Sequence, residues 1–275
     1  MNAVIAVFLG LMAVVSAGAL VVPHQQQQQS GDNDWDFILF VQRWPASACV
    51  NGHVTGGQAA TPQKCSFPPE MAPNAWLMHG IWPTKTGTEG PVNCDKTAKW
   101  DINPVEPLVP ELKADWSNLE SNTTYDSFWS HEWLKHGTCA QNLPALVGEF
   151  NFFNVPLTLR EKYYDFHAAL ANKNILPDAN RKYSHDAFAA ALQTAYGSTA
   201  EVWCAYDKGT KEHYVAEIRL CLTKTFDLMD CPDSEVKPKS TLGTSSCPTS
   251  QELIYAPVKP TGVPILPRPT RPTPQ

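Results

Sequence analysis

Eight cysteines, at positions 49, 65, 94, 139, 204, 221, 231 and 247, constrain this chain more than any other feature. They are an even set with no CxxC pair among them. Behind an apolar leader, such a set reads as four disulfides, whereas a zinc cluster in a reducing compartment normally draws on closely spaced pairs. Eight cysteines admit about 105 pairings, and spacing does not choose among them.

The leader is residues 1–22, almost wholly apolar through IAVFLGLMAVV and closing on Ser16, Ala17, Gly18 and Ala19. That pattern reads as a signal peptide. The segment has no Lys or Arg, and about 20 apolar residues could also span a bilayer, so an uncleaved anchor is the alternative. Residues 23–34, with five consecutive glutamines, are expected to be a disordered lead-in. Residues 256–275 carry seven prolines and are expected to be an extended, disordered tail. Cysteine and tryptophan run unbroken between these ends, so one domain is expected over 35–255. Asn122 heads the single glycosylation sequon, Asn122-Thr123-Thr124.

A net charge of −6 argues against a protein that grips nucleic acid through a broad basic surface. It leaves room for an enzyme with a local cationic pocket, where histidines gain charge below about pH 6.5.

Residues 35–44 (WDFILFVQRW) read as a central strand and residues 75–82 as a second, which Pro83 should end. Residues 199–206 and 213–223 make two more, joined across Asp207-Lys208-Gly209-Thr210, where Gly209 suits a hairpin turn. Thr158 and Glu161 match a capping box for a helix carrying Leu159, Tyr163, Phe166 and Leu170 on one face. Ser184 can cap a further helix, with Phe188 and Leu192 a turn apart and Gly197 just past its end. Strands and helices mingle without βαβ alternation, so the expectation is an α+β fold, a central antiparallel sheet flanked by helices.

Residues 125–140 (YDSFWSHEWLKHGTCA) are helical in pattern until Gly137. With His131 at zero and ~100° per residue, Lys135 lies near ~40°, Glu132 near ~100° and His136 near ~140°. Phe128, Trp129 and Trp133 share the helix, so much of it should be buried, where four ionisable groups are costly unless used. A zinc hydrolase would place two histidines four apart, about 40° on a helix; five apart is poor geometry for sharing one ion. Phosphodiester cleavage fits better. RNA brings its own 2′-hydroxyl nucleophile, so two imidazoles suffice as base and acid, and Lys135 can stabilise charge on phosphorus. Glu132 could hold a neighbouring histidine or, if protonated, bond a phosphoryl oxygen. His79, in the aromatic stretch WLMHGIWP, can be the second imidazole, with Gly80 leaving room for substrate.

HGIWP at 79–83 and HEWLKHGTC at 131–139 resemble the two active-site segments of the ribonuclease T2 family. The likeness continues through FILFVQRWPASAC at 37–49, the 94–116 region and EIRLCLT at 217–223. It implies a metal-independent acid endoribonuclease, secreted or lysosomal, that needs no cofactor. Such an enzyme cuts single-stranded RNA to 2′,3′-cyclic phosphates and then to 3′-phosphates. A monomer without stable membrane association is expected. The resemblance also implies roles. His79 and His136 would be the acid–base pair, with a lean to His136 as first base. His131 would bind phosphate, Glu132 and Lys135 would stabilise the transition state, and Trp82 and Phe128 would stack nucleobases. It implies bridges Cys49–Cys65, Cys94–Cys139, Cys204–Cys247 and Cys221–Cys231. Ile81 stands where the family usually has Leu, and Thr84 where several members have Asp, which leaves base preference open. The competing reading is a non-catalytic secreted protein on the same fold, acting in RNA binding or signalling.

Overall fold

The computed structural model describes residues 34–48, 67–71, 75–120, 123–163, 165–233 and 244–258. The signal-peptide and glutamine segments, Asn122, Cys49, Cys65 and nearly all of the proline-rich tail lie outside the described residues.

Strand β1 (Phe37–Arg43) is buried along its whole length because it lies between two neighbours. On one side is β2 (Leu77–Thr84) and on the other β5 (Glu212–Leu222), both antiparallel to it. Next comes β4 (Ala200–Asp207), then β7 (Ser245–Ser246). Short strands complete the sheet: β3 (Lys182–Ser184), β6 (Leu228–Met229) and β8 (Glu252–Ile254). All pairings are antiparallel except β5 with β8, which is parallel.

The expected strands are present with shifted ends. Pro83 does not end β2; it pairs with Ile38 inside it, which an edge strand permits because the missing N–H faces away from the ladder. In the β4–β5 turn the left-handed residue is Lys211 (φ 60°), not Gly209. Gly209 instead donates its N–H to the Asp207 carboxylate at 2.8 Å, and Lys211 N–H closes the turn on the Asp207 carbonyl at 2.7 Å.

Helices are α1 (Pro45–Ala48), α2 (Val109–Asp115), α3 (Tyr125–Lys135), α4 (Gly148–Tyr163), α5 (Phe166–Ala171) and α6 (His185–Tyr196). The helix expected to begin at Thr158 is two helices. Thr158 lies inside α4, its hydroxyl donating to the Asn154 carbonyl at 2.9 Å, and α5 starts at an Asp165 cap. Pro156 marks no boundary, because Phe152 and Phe153 are fully buried and packing holds the helix through it. Leu159, Phe166 and Leu170 are buried as expected, while the Tyr163 side chain lies outside the described residues. Ser184 caps α6 by accepting from Ala187 N–H, and Gly197 ends it at φ 73°.

The core on one sheet face is rich in indoles, and most of their buried N–H groups have an acceptor, with Trp133 Nε1 the exception. Trp44 donates to the Ala256 carbonyl (2.6 Å), Trp76 to the Tyr255 hydroxyl (2.9 Å) and Trp129 to the Trp116 carbonyl (3.0 Å). Ala256 and Val258 therefore still belong to the packed domain. The opposite face carries Phe37, Leu39, Val41, Trp82 and Cys221.

Three of the implied disulfides are formed: Cys94–Cys139, Cys204–Cys247 and Cys221–Cys231. Cys94–Cys139 closes 45 residues, for which the loop-entropy relation gives about 4 kcal/mol. Two hydrogen bonds run beside it, Asn93 N–H to the Lys135 carbonyl at 2.9 Å and Cys94 N–H to the Thr138 hydroxyl at 3.2 Å.

Candidate active site

His79 is the extra residue of a bulge in β2. Val41 pairs with Gly80 and Gln42 with Met78, so His79 faces no partner on β1. A bulge re-aims the side chain it carries. Here the imidazole turns over β1 towards β5, and Nδ1 lies 2.8 Å from Glu217 Oε1. The His79 carbonyl accepts from the Trp116 indole at 2.9 Å, which locks the backbone of the bulge.

Helix α3 delivers the second segment. Its buried arc follows the helical angles: Glu132, His136, Trp129 and Trp133 point inward, while His131 is exposed and Lys135 is half-buried at the rim. His136 is the last helical turn's cap, after which the chain continues as a 3-10 turn, Gly137–Asn142, rather than stopping at the glycine.

The two segments meet around Trp82. Its indole N–H donates to Glu132 Oε2 at 3.1 Å, and the His136 ring stacks on it with centroids 4.9 Å apart and planes 20° from parallel. His79 meets the same indole edge-on at 5.1 Å, and its Nε2 is 4.0 Å from Glu132 Oε1. The imidazoles of residues 79 and 136 therefore share one indole, and the Glu132 carboxylate lies beside that indole and His79.

Trp82, expected to stack a nucleobase, is 3% exposed, with His136 stacked on it and Arg219 5.2 Å over its ring. Its indole N–H hydrogen bond to Glu132 passes over Gly80. Gly80 leaves room not for substrate but for this hydrogen bond, because a Cβ there would lie 2.1 Å from Trp82 Nε1 and 2.4 Å from Glu132 Oε2. Phe128 remains half-buried, 6.3 Å from the His79 ring and under the Arg43 guanidinium at 4.6 Å.

Electrostatics separate the groups. Burial drives His136 well below the ordinary imidazole value, helped by Lys135, His131 and His79, and its Nδ1 has no hydrogen-bond partner among the described residues. Partial desolvation lowers His131; Glu132 opposes this, and Lys135 and His79 add to it. Lys135 is lowered by desolvation against the pull of Glu132. Burial would raise Glu217, but Arg219 and His79 outweigh it and bring the carboxyl down to about 2. Arg43, desolvated at the floor of the site, falls to about 10 despite Glu132, Glu120 and Glu217.

Glu217, Arg219 and Arg43 escaped the reading of the sequence as site residues. A signal was present: in VAEIRLCL two opposite charges sit two apart in an apolar strand, hence on one buried face. Among the described residues no group of three or more His, Cys, Asp or Glu is arranged to hold a metal ion.

This fold and site can be set beside known proteins. The Ribonuclease T2 family profile matches residues 35–231, and the chain belongs to that family. It is 39% identical to Ribonuclease Oy of Magallana gigas over 227 residues, 82% of this chain and 98% of that protein. The crystal structure of RNase NT with 5′-AMP superposes with a TM-score of 0.66 at 29% identity, covering 82% of this chain and all of the other. Human RNase T2 gives 0.64 at 27% identity, with the same coverage of this chain.

Proposed function

We propose that this protein is an endoribonuclease that cleaves single-stranded RNA by transphosphorylation to a 2′,3′-cyclic phosphate, followed by hydrolysis to a 3′-phosphate. The observation that carries the reading is two imidazoles held against one indole in unlike surroundings. His136, desolvated and without an ionised hydrogen-bond partner, stays neutral in acid and is suited to take the 2′-hydroxyl proton. His79, backed by a carboxylate, is suited to protonate the departing 5′-oxygen. In the second stage the roles reverse: His79 activates water and His136 returns its proton to the 2′-oxygen.

Lys135 and His131 lie at the rim, where they can meet phosphate oxygens and offset the charge that builds on phosphorus. Glu132 acts through its bond to Trp82 and its nearness to His79 Nε2. Phe128 is the aromatic surface left for a base to approach. RNA supplies the nucleophile and these side chains supply both proton transfers, so the chemistry calls for no metal. Three disulfides among the described residues and the apolar leader support a secreted or lysosomal destination. No described helix is long and apolar enough to cross a membrane.

A defined oligoribonucleotide digested at about pH 5, with and without chelator, tests the proposal. Cyclic phosphate ends should accumulate first, chelator should leave the rate unchanged, and His79→Ala or His136→Ala should lower it by at least about 10³-fold. Near wild-type cleavage by either variant would remove that residue from the mechanism, and inhibition by chelator would remove the metal-free chemistry.

A further inference from the structure

A carboxylate with no solvent exposure in the middle of a sheet is costly unless its charge is matched and its lone pairs are used. Glu217 is such a group. Its Oε2 accepts from Arg219 at 2.7 Å (Nη2) and 3.1 Å (Nε), and its Oε1 faces His79 Nδ1 at 2.8 Å. The two oxygens thus have separate duties, and the carboxylate plane is held by both. Arg219 is itself held, with its guanidinium 3.4 Å over the Trp203 ring and 5.2 Å over Trp82.

The sheet register explains how this alignment arises. Glu217 and Arg219 are two apart on β5 and share the face that carries Arg43 on β1 and Trp203 on β4. His79 stands on β2, two strand spacings or about 10 Å away, a gap that a bulged histidine and a glutamate can close together. Arg43, between them, turns aside to the Ser117 carbonyl at 2.6 Å.

We infer that Glu217, braced by Arg219, is a positioning residue: it keeps the Nδ1 proton of His79 in place, so that Nε2 carries the proton delivered to the leaving 5′-oxygen. The inference rests on the ribonuclease reading above. The step balances simply: the P–O5′ bond breaks, O5′ takes the Nε2 proton, and His79 is left neutral with Nδ1–H still donated to Glu217. The charged and titratable groups around His79 are Glu132, His131 and His136 from α3, Glu217 and Arg219 from β5, and Arg43 from β1 behind Phe128. Of these, only Glu217 bonds its Nδ1.

The test compares wild type, Glu217→Gln and the double variant Glu217→Gln/Arg219→Met on two substrates, a diribonucleoside phosphate and uridine 3′-(4-nitrophenyl phosphate). Nitrophenolate leaves without being protonated, so it bypasses an acid. On the dinucleotide, Glu217→Gln should lower kcat about 10- to 100-fold with KM within about twofold. The alkaline limb of its kcat profile should move to lower pH, because the imidazolium has lost its anion. On the nitrophenyl ester the loss should stay below about threefold. The double variant removes both buried charges and should give the same readings, so a misfolded single variant does not end the test. Nitrogen NMR of wild-type His79 should also find Nδ1 protonated on both sides of its titration. Wild-type kcat and an unmoved limb in the active Gln variant would overturn this inference alone, as would equal losses on the two substrates. A wild type inactive on both substrates would overturn the ribonuclease reading and this inference with it.

Discussion

At the scale of single residues, the site depends on what occupies the space over Gly80. The Trp82 indole and the Glu132 carboxylate meet there, within 2.1 and 2.4 Å of where a β-carbon would stand. Gly80→Ala should therefore fold, since overpacking of this size costs about 1–3 kcal/mol. It should nonetheless lose at least about 100-fold in kcat, because Glu132 and the ring beneath His136 are pushed apart. Activity assays beside a urea titration decide this; a kcat near wild type would show that the Trp82–Glu132 contact does not position the chemistry. Residue identities carried much of the site in advance: His79, Glu132 and His136 come together as their motifs implied. The covering of Trp82 was not legible, because an aromatic near a histidine reads the same in sequence whether its ring is open or covered. Only the neighbours His136 and Arg219 settle which.

At the scale of elements, α3 owes its start to a reciprocal cap. Thr124 accepts from Ser127 N–H at 3.1 Å, and Ser127 Oγ accepts from Thr124 N–H at 3.1 Å. Thr124 is also the third residue of the Asn122 sequon. In protein made without glycosylation, Thr124→Ala should lower unfolding free energy by about 1 kcal/mol while Thr124→Ser keeps it. With His131, Glu132, Lys135 and His136 in the later turns of the helix, kcat should change less than about twofold. Equal denaturation midpoints for the two variants would count against the cap. The strands were legible because runs such as FILFVQR have few other ways to be buried, and Ser184 and Gly197 marked α6 correctly. The α4–α5 region was not, since Thr158 and Glu161 match a capping box locally, while the burial of Phe152 and Phe153 carries α4 through that point. The bulge at His79 was equally hidden, because a one-residue offset between β1 and β2 belongs to their pairing and to neither strand alone.

At the scale of the whole molecule, buried ionisable groups make stability depend on pH in a definite direction. His136 is held well below its ordinary value in the fold, so below about pH 6.5 the unfolded chain binds a proton that the native protein refuses, and stability falls as pH drops. Glu217, with its carboxyl near 2 against 4.5 when free, adds stability that is complete above about pH 4.5 and lost as pH falls through 2. Urea titrations should show a decline of up to about 1.4 kcal/mol per pH unit just below 6.5, shallower in His136→Gln, and a second decline below 4.5 that His136→Gln retains. An identical slope in wild type and His136→Gln between pH 6.5 and 4.5 would refute the assignment to His136.

The order of amino acids alone determined which groups were available: cysteines to bridge, apolar runs for a sheet, a helix with Glu132 and His136 on its buried arc, and a histidine close to Trp82. Those are properties of spacing along the chain, set by strand and helix geometry. Tertiary structure decided which partner each group met. Glu217 and Arg219 came under His79, and the indole closed between the two histidines, because β2, β1 and β5 align in one register. Their contacts span 50 to 138 positions, a separation over which local pattern carries no information.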